Sequence, residues 1–511
     1  MKIIETNKLT PDSLPTYDEQ LHVYNGLDCC VTLEIFEVLD KQLDNVSRNT
    51  YNFSLALQAP ILEMNMAGVL VDHYEKNRLI EEYEREQTLV RANLDKIILG
   101  AFDDRINPAS PADLTRLFYS VMGLPPVRKR KPDGSYGTTT NREALEKLSA
   151  YLIAEPIIAH ILLLRDLGKR ISFLRTGIDA DGHMRTSFNI AGTNTGRLSS
   201  ALSDFGTGTN LQNIERRLRR VFIAKPGYKF ANIDLEQADA RNVGALLINF
   251  FHKHPAYAAG CSAYLDACES GDLHTAVCRM AWTELPWNGE QKHDRAIADG
   301  KAYRDLSYRD LAKKLGHGTN YYGQPATMAR HTKVDRAAIE LFQRRYFEAF
   351  PHIRYWHDRT RSELQLTGSL TTPFGRRRRF FGRRDDDSTL REAIAYEPQS
   401  MTADEIDTGL LKVWRADLAE CLIQVHDSIL FQYPAHLENQ ILPQLIAAIE
   451  TPITLANGRQ FTVPAEAKIG WNWADFDDRN PLDNPDGLMK FRGNDERVRA
   501  KAINFMDRVV Q

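Results

Sequence analysis

Residues 230–241, FANIDLEQADAR, and residues 422–431, LIQVHDSILF, decide the fold. Each is a run rich in β-forming residues that carries an aspartate, Asp234 or Asp427, to the end of an expected strand. After Asp234 the pattern becomes helical, whereas after Asp427 the chain turns at once into another strand. If the two strands are neighbours in one antiparallel sheet, their carboxylates stand roughly 5 Å apart, one strand spacing. That separation suits a pair of Mg²⁺ ions about 3.5–4 Å apart, which clamp both oxygens of an in-line phosphoryl displacement. Mg²⁺ takes hard oxygen ligands, commonly one or two carboxylates plus substrate phosphates. A lone aspartate at a strand end is far more often a turn former. The reading therefore rests on what lies between and before the pair.

At 511 residues the chain is long enough for about three domains with large buried cores. Its net charge is −3, so any nucleic-acid surface must be a local basic patch balanced by acid elsewhere. The cysteines (Cys29, Cys30, Cys261, Cys268, Cys278, Cys421) form no C-x-x-C pair and have no His partner at zinc spacing. They read as reduced, mostly buried thiols of a cytoplasmic protein. The first residues lack the apolar core of a signal peptide, and no apolar run is long enough to span a membrane. A cytoplasmic protein with no membrane partner is expected.

Along the chain, residues 21–45 predict an amphipathic helix, and further helices are expected between 58 and about 98. Residues 107–126 read as a loop, an N-capped helix starting near Ser110 and a Gly/Pro stop. The basic stretch 128–141, RKRKPDGSYGTTTN, reads as a loop, and helices resume at 142–175. Short strands and loops fill 182–230, residues 241–365 are mainly helical, and 371–387 form a hairpin or loop before a helix over 388–411. Strands at 421–433 and 461–470 flank a helix at 436–451. This order suggests one sheet interrupted by a large helical insertion, an α+β fold.

Two stretches between and before the aspartates carry further chemistry. In a basic helix from Ser307 to Thr319, Arg309, Lys313, His317 and Tyr321 share one stripe. Two cations one turn apart followed by two rings can hold a triphosphate while a ring stacks on a base. Gly316 and Gly318 lie inside this helix, at about 0.5–1 kcal/mol each relative to Ala, and close approach of a ligand is one reason to tolerate them. Residues 193–222, TNTGRLSSALSDFGTGTNLQNIERRLRRVF, offer Arg197, Asn210, Gln212, Asn213 and Arg217 as donors for phosphates and minor-groove acceptors.

These pieces together resemble family A DNA polymerases. TGRLSS, NLQNI, D-x-x-Q-x-D-x-R at 234–241, D-x-H-T at 272–275, R-x3-K-x4-G-x2-Y at 309–321, T-P-F-G-R-R-R at 372–378, R-E-A-x3-E-P-Q at 391–399 and V-H-D-S at 425–428 recur in the family's order, and VPAEAKIGWNW (463–473) looks like its last strand. The resemblance implies a right-hand polymerase fold: a helical thumb (51–175), an antiparallel palm (176–240 and 398–511) and helical fingers inserted in the palm (241–397). It implies primer-dependent DNA synthesis from dNTPs on primer–template DNA by two-metal nucleotidyl transfer, in phage or bacterial replication. Asp234, Asp427 and the backbone carbonyl of Leu235 would bind two Mg²⁺ ions. Lys313 would stabilise the leaving pyrophosphate, with Arg309 and His274 on the triphosphate. Gln237, Asp239, His317 and Tyr321 would line the dNTP pocket. Arg197, Asn213, Arg391 and Gln399 would read the minor groove and primer end, Asn210, Gln212 and Arg217 would join the primer–template contacts, and His426 would support the primer terminus.

Several positions depart from the family pattern. The Glu that usually blocks the sugar 2′ position is Asp239, one methylene shorter, and the third acid of the last motif is Ser428. Anchoring the basic helix on Arg309 and Lys313 puts His317 where an aromatic Phe or Tyr is expected. Anchoring it on Tyr322-Gly323 selects Lys314 instead, but places Asp310 at the Arg position; the first register keeps more of the chemistry. Tyr24-x3-Asp28 resembles the last motif of the 3′→5′ proofreading exonuclease that precedes such polymerase domains, and the other nuclease acids are absent upstream. Residues 1–50 are thus expected to be an exonuclease remnant without independent proofreading. A separate exonuclease polypeptide could dock there on Leu21, Tyr24, Leu27, Val31, Ile35 and Val38. A single-subunit RNA polymerase and a catalytically dead replisome subunit are the rival readings. TGRLSS and NLQNI oppose the first, and the retained Asp234, Asp427 and Lys313 oppose the second.

Overall fold

Residues 228–235 form an inner strand of a five-stranded antiparallel sheet in the computed structural model, which describes residues 19–130, 134–303 and 305–491. The strands are β1 (Tyr228–Leu235), β2 (Glu420–Val425), β3 (Ser428–Pro434), β4 (Ala465–Gly470) and β5 (Met489–Lys490), and the sheet order is β2-β3-β1-β4-β5. β1 lies between β3 and β4, with Ser428 and Glu466 flanking Asp234 on either side. One face of β1 is wholly covered, burying Ala231, Ile233 and Leu235, whereas the other turns Asn232 and Asp234 toward a cleft, the one-sided burial usual in an antiparallel sheet. The Glu438–Ile449 helix packs on this sheet, and its Leu442, Leu445 and Ile449 are fully buried, each contributing about 1.5–3 kcal/mol. The strand leading into Asp427, β2, is not the direct neighbour of β1. The return strand β3 lies between them, because a two-residue turn folds β2 back on β3 and presents Asp427 from the turn itself.

The chain divides into two compact units, one built from residues 59–241 with 402 onward and the other from residues up to 58 with 242–401. In the first, besides the sheet, the His73–Phe102 helix packs along the Glu155–Leu174 helix. Leu79, Tyr83, Val90, Leu94 and Ile98 meet Ile157, Ile161, Leu164, Leu167 and Ile171, apolar positions at helical spacing on both partners. Asp72 caps the first of these helices by accepting from Glu75 N–H at 3.0 Å. The Pro111–Thr115 helix starts at Ser110 as expected, its hydroxyl accepting from the Asp113 N–H. The expected loop at 128–141 is instead a short hairpin, Arg128–Arg130 against Tyr136–Thr138, with residues 131–133 outside those described.

In the second unit the Tyr308–Asn320 helix starts with a capping box between Ser307 and Asp310. Its far end is fastened by Asn320, which donates to the Tyr264 hydroxyl at 2.7 Å and accepts from the Tyr346 hydroxyl at 2.9 Å. A Cβ on Gly318 would stand 2.8 Å from the Met328 Cε, and one on Gly316 3.6 Å from the Tyr346 ring. Neither contact by itself demands a glycine, because the first partner is a flexible side-chain end and the second is at ordinary contact distance. Ser369–Thr371 pairs with Arg377–Arg379, the hairpin expected before the long helix, which runs Asp387–Arg415. Cys261, Cys268 and Cys278 are buried, whereas Cys29 and Cys30 are exposed and Cys421 lies between, so burial of the thiols is less general than expected. Of the segment 1–50, residues 1–18 lie outside those described, and the Glu19–Asp40 helix that follows has no buried residue. Among the described residues no helix is long and apolar enough to cross a membrane.

Candidate active site

The turn between β2 and β3 is closed by Val425 opposite Ser428, leaving His426 and Asp427 at its tip. His426 has φ +53°, the left-handed region, where a non-glycine residue stores of order 1–3 kcal/mol of strain. β1 ends alongside, and the Leu235 N–H donates to the Asp427 backbone carbonyl at 3.0 Å. That bond pins the turn to the strand end and puts Asp234 and Asp427 in one cleft of about 380 Å³, which Glu466 and Lys468 also line. Sequence reading missed the last two. The alternation Ala465-Glu466-Ala467-Lys468-Ile469 was their signal, since a period of two puts both on one face of β4.

Removal of water by the surrounding protein and the negative charge of Asp427 push the Asp234 carboxyl up to about 6. Asp234 keeps an edge open to solvent, which screens part of that effect. Burial raises Asp427 as well, opposed by Arg197. The Arg197 guanidinium donates through Nη2 to Asp427 Oδ1 at 2.8 Å and, weakly, to Asp239 Oδ1 at 3.4 Å. Asp239 Oδ1 also accepts from the Thr402 hydroxyl at 3.1 Å, a partner that sequence reading did not single out. Gln237, next to this group, takes φ +55°.

Asn210 and Gln212 use their side chains inside the protein. Asn210 bridges to the Ser200 hydroxyl and carbonyl at 2.7 Å each and caps the Gln212 N–H. The Gln212 amide donates to the carbonyls of Leu198 and Gln424 at 3.2 and 3.0 Å, tying the TGRLSS loop to β2. Both side chains are half-buried and spend these bonds inside the protein, next to Arg197 in the TGRLSS loop. Asn213 and Arg217 are exposed, with Arg217 paired to Glu215 at 2.9 Å.

In the other unit Asp272 caps the Leu273–Ala281 helix and takes Arg309 Nε at 3.2 Å and Arg295 at 3.0 Å. Burial opposes its ionisation, but hydrogen bonds from Thr275 and Arg309 hold Asp272 down to about 2. Burial and the nearby cations Arg309 and Lys313 lower His274 to about 4, so its imidazole is neutral at physiological pH. Arg309, Lys313 and His274 are thus one cluster. Lys314 lies instead beside Asp310, which the capping box already engages. His317 and Tyr321 meet edge to face at 4.7 Å. Arg391, exposed, and Gln399, half-buried, lie two turns apart on the Asp387–Arg415 helix. Tyr24 and Asp28 hydrogen-bond to each other one turn apart, which raises the phenol. Among the described residues no group of three or more His, Cys, Asp and Glu side chains is arranged to hold a metal ion.

A family model for DNA polymerase family A matches residues 77–475. The chain belongs to DNA polymerase family A. Its curated relatives in the family include DNA polymerase I of Treponema pallidum (strain Nichols), 24% identical over 89% of this chain and 43% of that protein. DNA polymerase I of Chloroflexus aurantiacus is 28% identical over 91% of this chain and 47% of that protein. The chain thus spans about half the length of the curated family A relatives it matches. Among solved structures it is similar to the POL domain of Pol1 from M. smegmatis, in complex with DNA primer-template and dNTP. That match has a TM-score of 0.70 and 23% identity over 87% of this chain and 74% of the other. At that identity the likeness speaks for the fold, the mixed α+β fold of a family A polymerase domain.

Proposed function

We propose that this chain is a DNA-directed DNA polymerase that extends a primer 3′ end on a template strand by transfer from deoxynucleoside triphosphates, in bacterial or phage DNA replication. The observation that carries the reading is the β2–β3 turn, which sets Asp427 beside Asp234 at the end of β1 in a family A chain. Two crowded carboxylates, one of them raised to about 6 by desolvation and the other's charge, are a donor set that a divalent cation relieves. They fit a pair of Mg²⁺ ions, held by Asp234, Asp427 and the Leu235 backbone carbonyl together with substrate phosphates. When bound, the ions supply transition-state charge stabilisation of several kcal/mol and activate the primer hydroxyl.

The chain's own residues do the rest. Arg309 and Lys313 neutralise the triphosphate, and neutral His274 donates an N–H to a phosphate oxygen. Asp310's engagement in the capping box supports Lys313 rather than Lys314 as the triphosphate residue. Asp239 and His317 set the choice of sugar, and Gln237 and Tyr321 line the pocket. Arg197, Asn213, Arg217, Arg391, Gln399 and His426 contact primer–template, with Asn210 and Gln212 positioning Arg197. In this reading residues 51–175 are the thumb, 176–240 and 398–511 the palm and 241–397 the fingers. The Glu19–Asp40 helix, which exposes Val23, Leu27, Val31, Ile35 and Val38 and carries Tyr24 and Asp28, docks a nuclease polypeptide that supplies the remaining acids.

Primer extension on a primed single-stranded template, with each dNTP and rNTP and Mg²⁺, tests the reading. Template-dependent dNTP incorporation that Asp427→Ala abolishes, with primer–template affinity kept within a few-fold, is the expected result. Preference for rNTPs without a primer would favour the RNA polymerase reading, and no incorporation at all would overturn both.

A further inference from the structure

Arg197 makes a bond that the proposed function does not use. Its Nη2 donates to Asp427, a proposed metal ligand, while its Nε is buried with no hydrogen-bond partner among the described residues. A guanidinium has five N–H donors in a rigid fork, and arginine–carboxylate pairs are frequently engaged through two parallel bonds. Here the second contact goes to a different acid, Asp239, at a weak 3.4 Å, and Thr402 already holds that acid from the other side. The side chains of Arg197, Asp239 and Asp427 remain 22%, 19% and 29% exposed, so incoming groups can reach them. The guanidinium is incompletely satisfied and partly accessible, which are the properties of a side chain with a second position.

We propose that Arg197 guards the metal site, holding Asp427 while nucleic acid is absent and releasing it when acceptors of the primer–template engage the guanidinium. The inference rests on the polymerase reading. An Asp427 oxygen that accepts from a cation is a poorer ligand for a divalent ion, so the arginine and the ion compete for it. Nucleic acid that withdraws Arg197 removes the competitor, and linkage requires the reverse as well: the ion tightens the nucleic acid by the same factor. Thr402 and Asp239 form the fixed side of the device. They leave the arginine a short swing, letting go of Asp427 without losing its place in the TGRLSS loop.

The test is Mn²⁺ binding at pH 8, read from the electron paramagnetic resonance of the free ion. The full chain is titrated alone and with a primer–template whose primer ends in a dideoxynucleotide, without nucleotide; ions bound by DNA alone are subtracted. The Asp427-dependent site is defined by its loss in Asp427→Asn. For the unaltered chain, primer–template tightens this site. In Arg197→Met the DNA-free affinity rises roughly threefold or more, the scale of a partly exposed ion pair, and primer–template adds nothing further. An Arg197→Met chain whose DNA-free affinity equals or falls below that of the unaltered chain overturns the guard. Should that variant fail to fold by circular dichroism, Arg197→Gln reads the same quantity. If Asp427→Asn binds Mn²⁺ undiminished, Asp427 is not a ligand and the metal reading falls with the guard. If the unaltered chain extends primers while Arg197 has no effect on the metal, only the guard falls.

Discussion

Asp234 is where sequence and physics meet at the scale of one residue. Its place at a strand end was legible, because β-formers run up to it and a helical pattern follows. Its electrostatics were not, since these depend on Asp427, distant in sequence and brought close by the β2–β3 turn. Lifted from 3.8 to about 6, Asp234 binds a proton in the folded state that the unfolded chain lacks between about pH 4 and 6. The ionised carboxylate is therefore a cost to folding, fully present above pH 6 and relieved as pH falls through 6. Asp234→Asn should melt at a higher temperature than the unaltered chain at pH 8, and the difference should shrink through pH 6 and be gone near pH 4. Because Asp234 is solvent-exposed, screening limits the gain to about 1 kcal/mol. Thermal melts at the three pH values decide it; a variant less stable at pH 8 contradicts the sign. Asn210 and Gln212 show the opposite limit of reading residues. Their donors are as suited to DNA as to a loop, and only the folded positions of Ser200, Leu198 and Gln424 show that they face inward.

At the scale of elements, periodicity carried most of the reading, and glycines were its weak point. Gly316 and Gly318 read as ligand clearance, and a Cβ there would meet only ordinary contact with the Tyr346 ring and the flexible end of Met328, both on later helices of the same unit. Gly409 was not singled out, although it is the tighter position. A Cβ there would lie 2.9 Å from the Ile449 Cα, where the Asp387–Arg415 helix crosses the helix that backs the sheet. Backbone cannot move aside as a methionine end can. Gly409→Ala should therefore lose about 1–3 kcal/mol of stability in denaturant melts through overpacking, although alanine is the better helix former by about 1 kcal/mol. Gly318→Ala, facing only the flexible Met328 Cε, should be near neutral. The Tyr308–Asn320 helix makes a functional prediction of the same kind. Lys313 shares a cluster with Arg309 and His274, whereas Lys314 lies over Asp310. Pre-steady-state incorporation should show Lys313→Ala slowing the chemical step by at least about tenfold and weakening dNTP binding, with Lys314→Ala much milder. The opposite ranking would select the other register.

At the scale of the molecule, a sheet interrupted by a long helical insertion was legible from the order of patterns, because β1 and β2 bracket the helical stretch in sequence and meet in one sheet. How the Glu19–Asp40 helix would be covered was not legible. Its apolar residues alternate with enough polar ones to read as an amphipathic helix, yet Val23, Leu27, Val31, Ile35 and Val38 are all about half exposed. An apolar face on that scale is unfavourable in water unless something covers it. The same helix holds Tyr24 bonded to Asp28, and among the described residues no third acid or histidine joins them to form a metal cluster. Two-metal hydrolysis needs several carboxylates around two ions, so the expected outcome for this chain by itself is no 3′→5′ exonuclease activity. Incubated alone with a mismatched primer end and Mg²⁺, the purified chain should leave the primer intact, and Asp28→Ala should change nothing. Degradation that Asp28→Ala removes would refute this. The covering partner is tested separately by replacing Val31 and Ile35 with lysine. If the helix docks a nuclease polypeptide, the unaltered chain should retain exonuclease activity when purified from its native source, and the double variant should lose that activity while keeping primer extension. Primer extension and nuclease activity lost together would point instead to a helix that packs on the polymerase itself, and nuclease activity absent from both preparations would remove the partner.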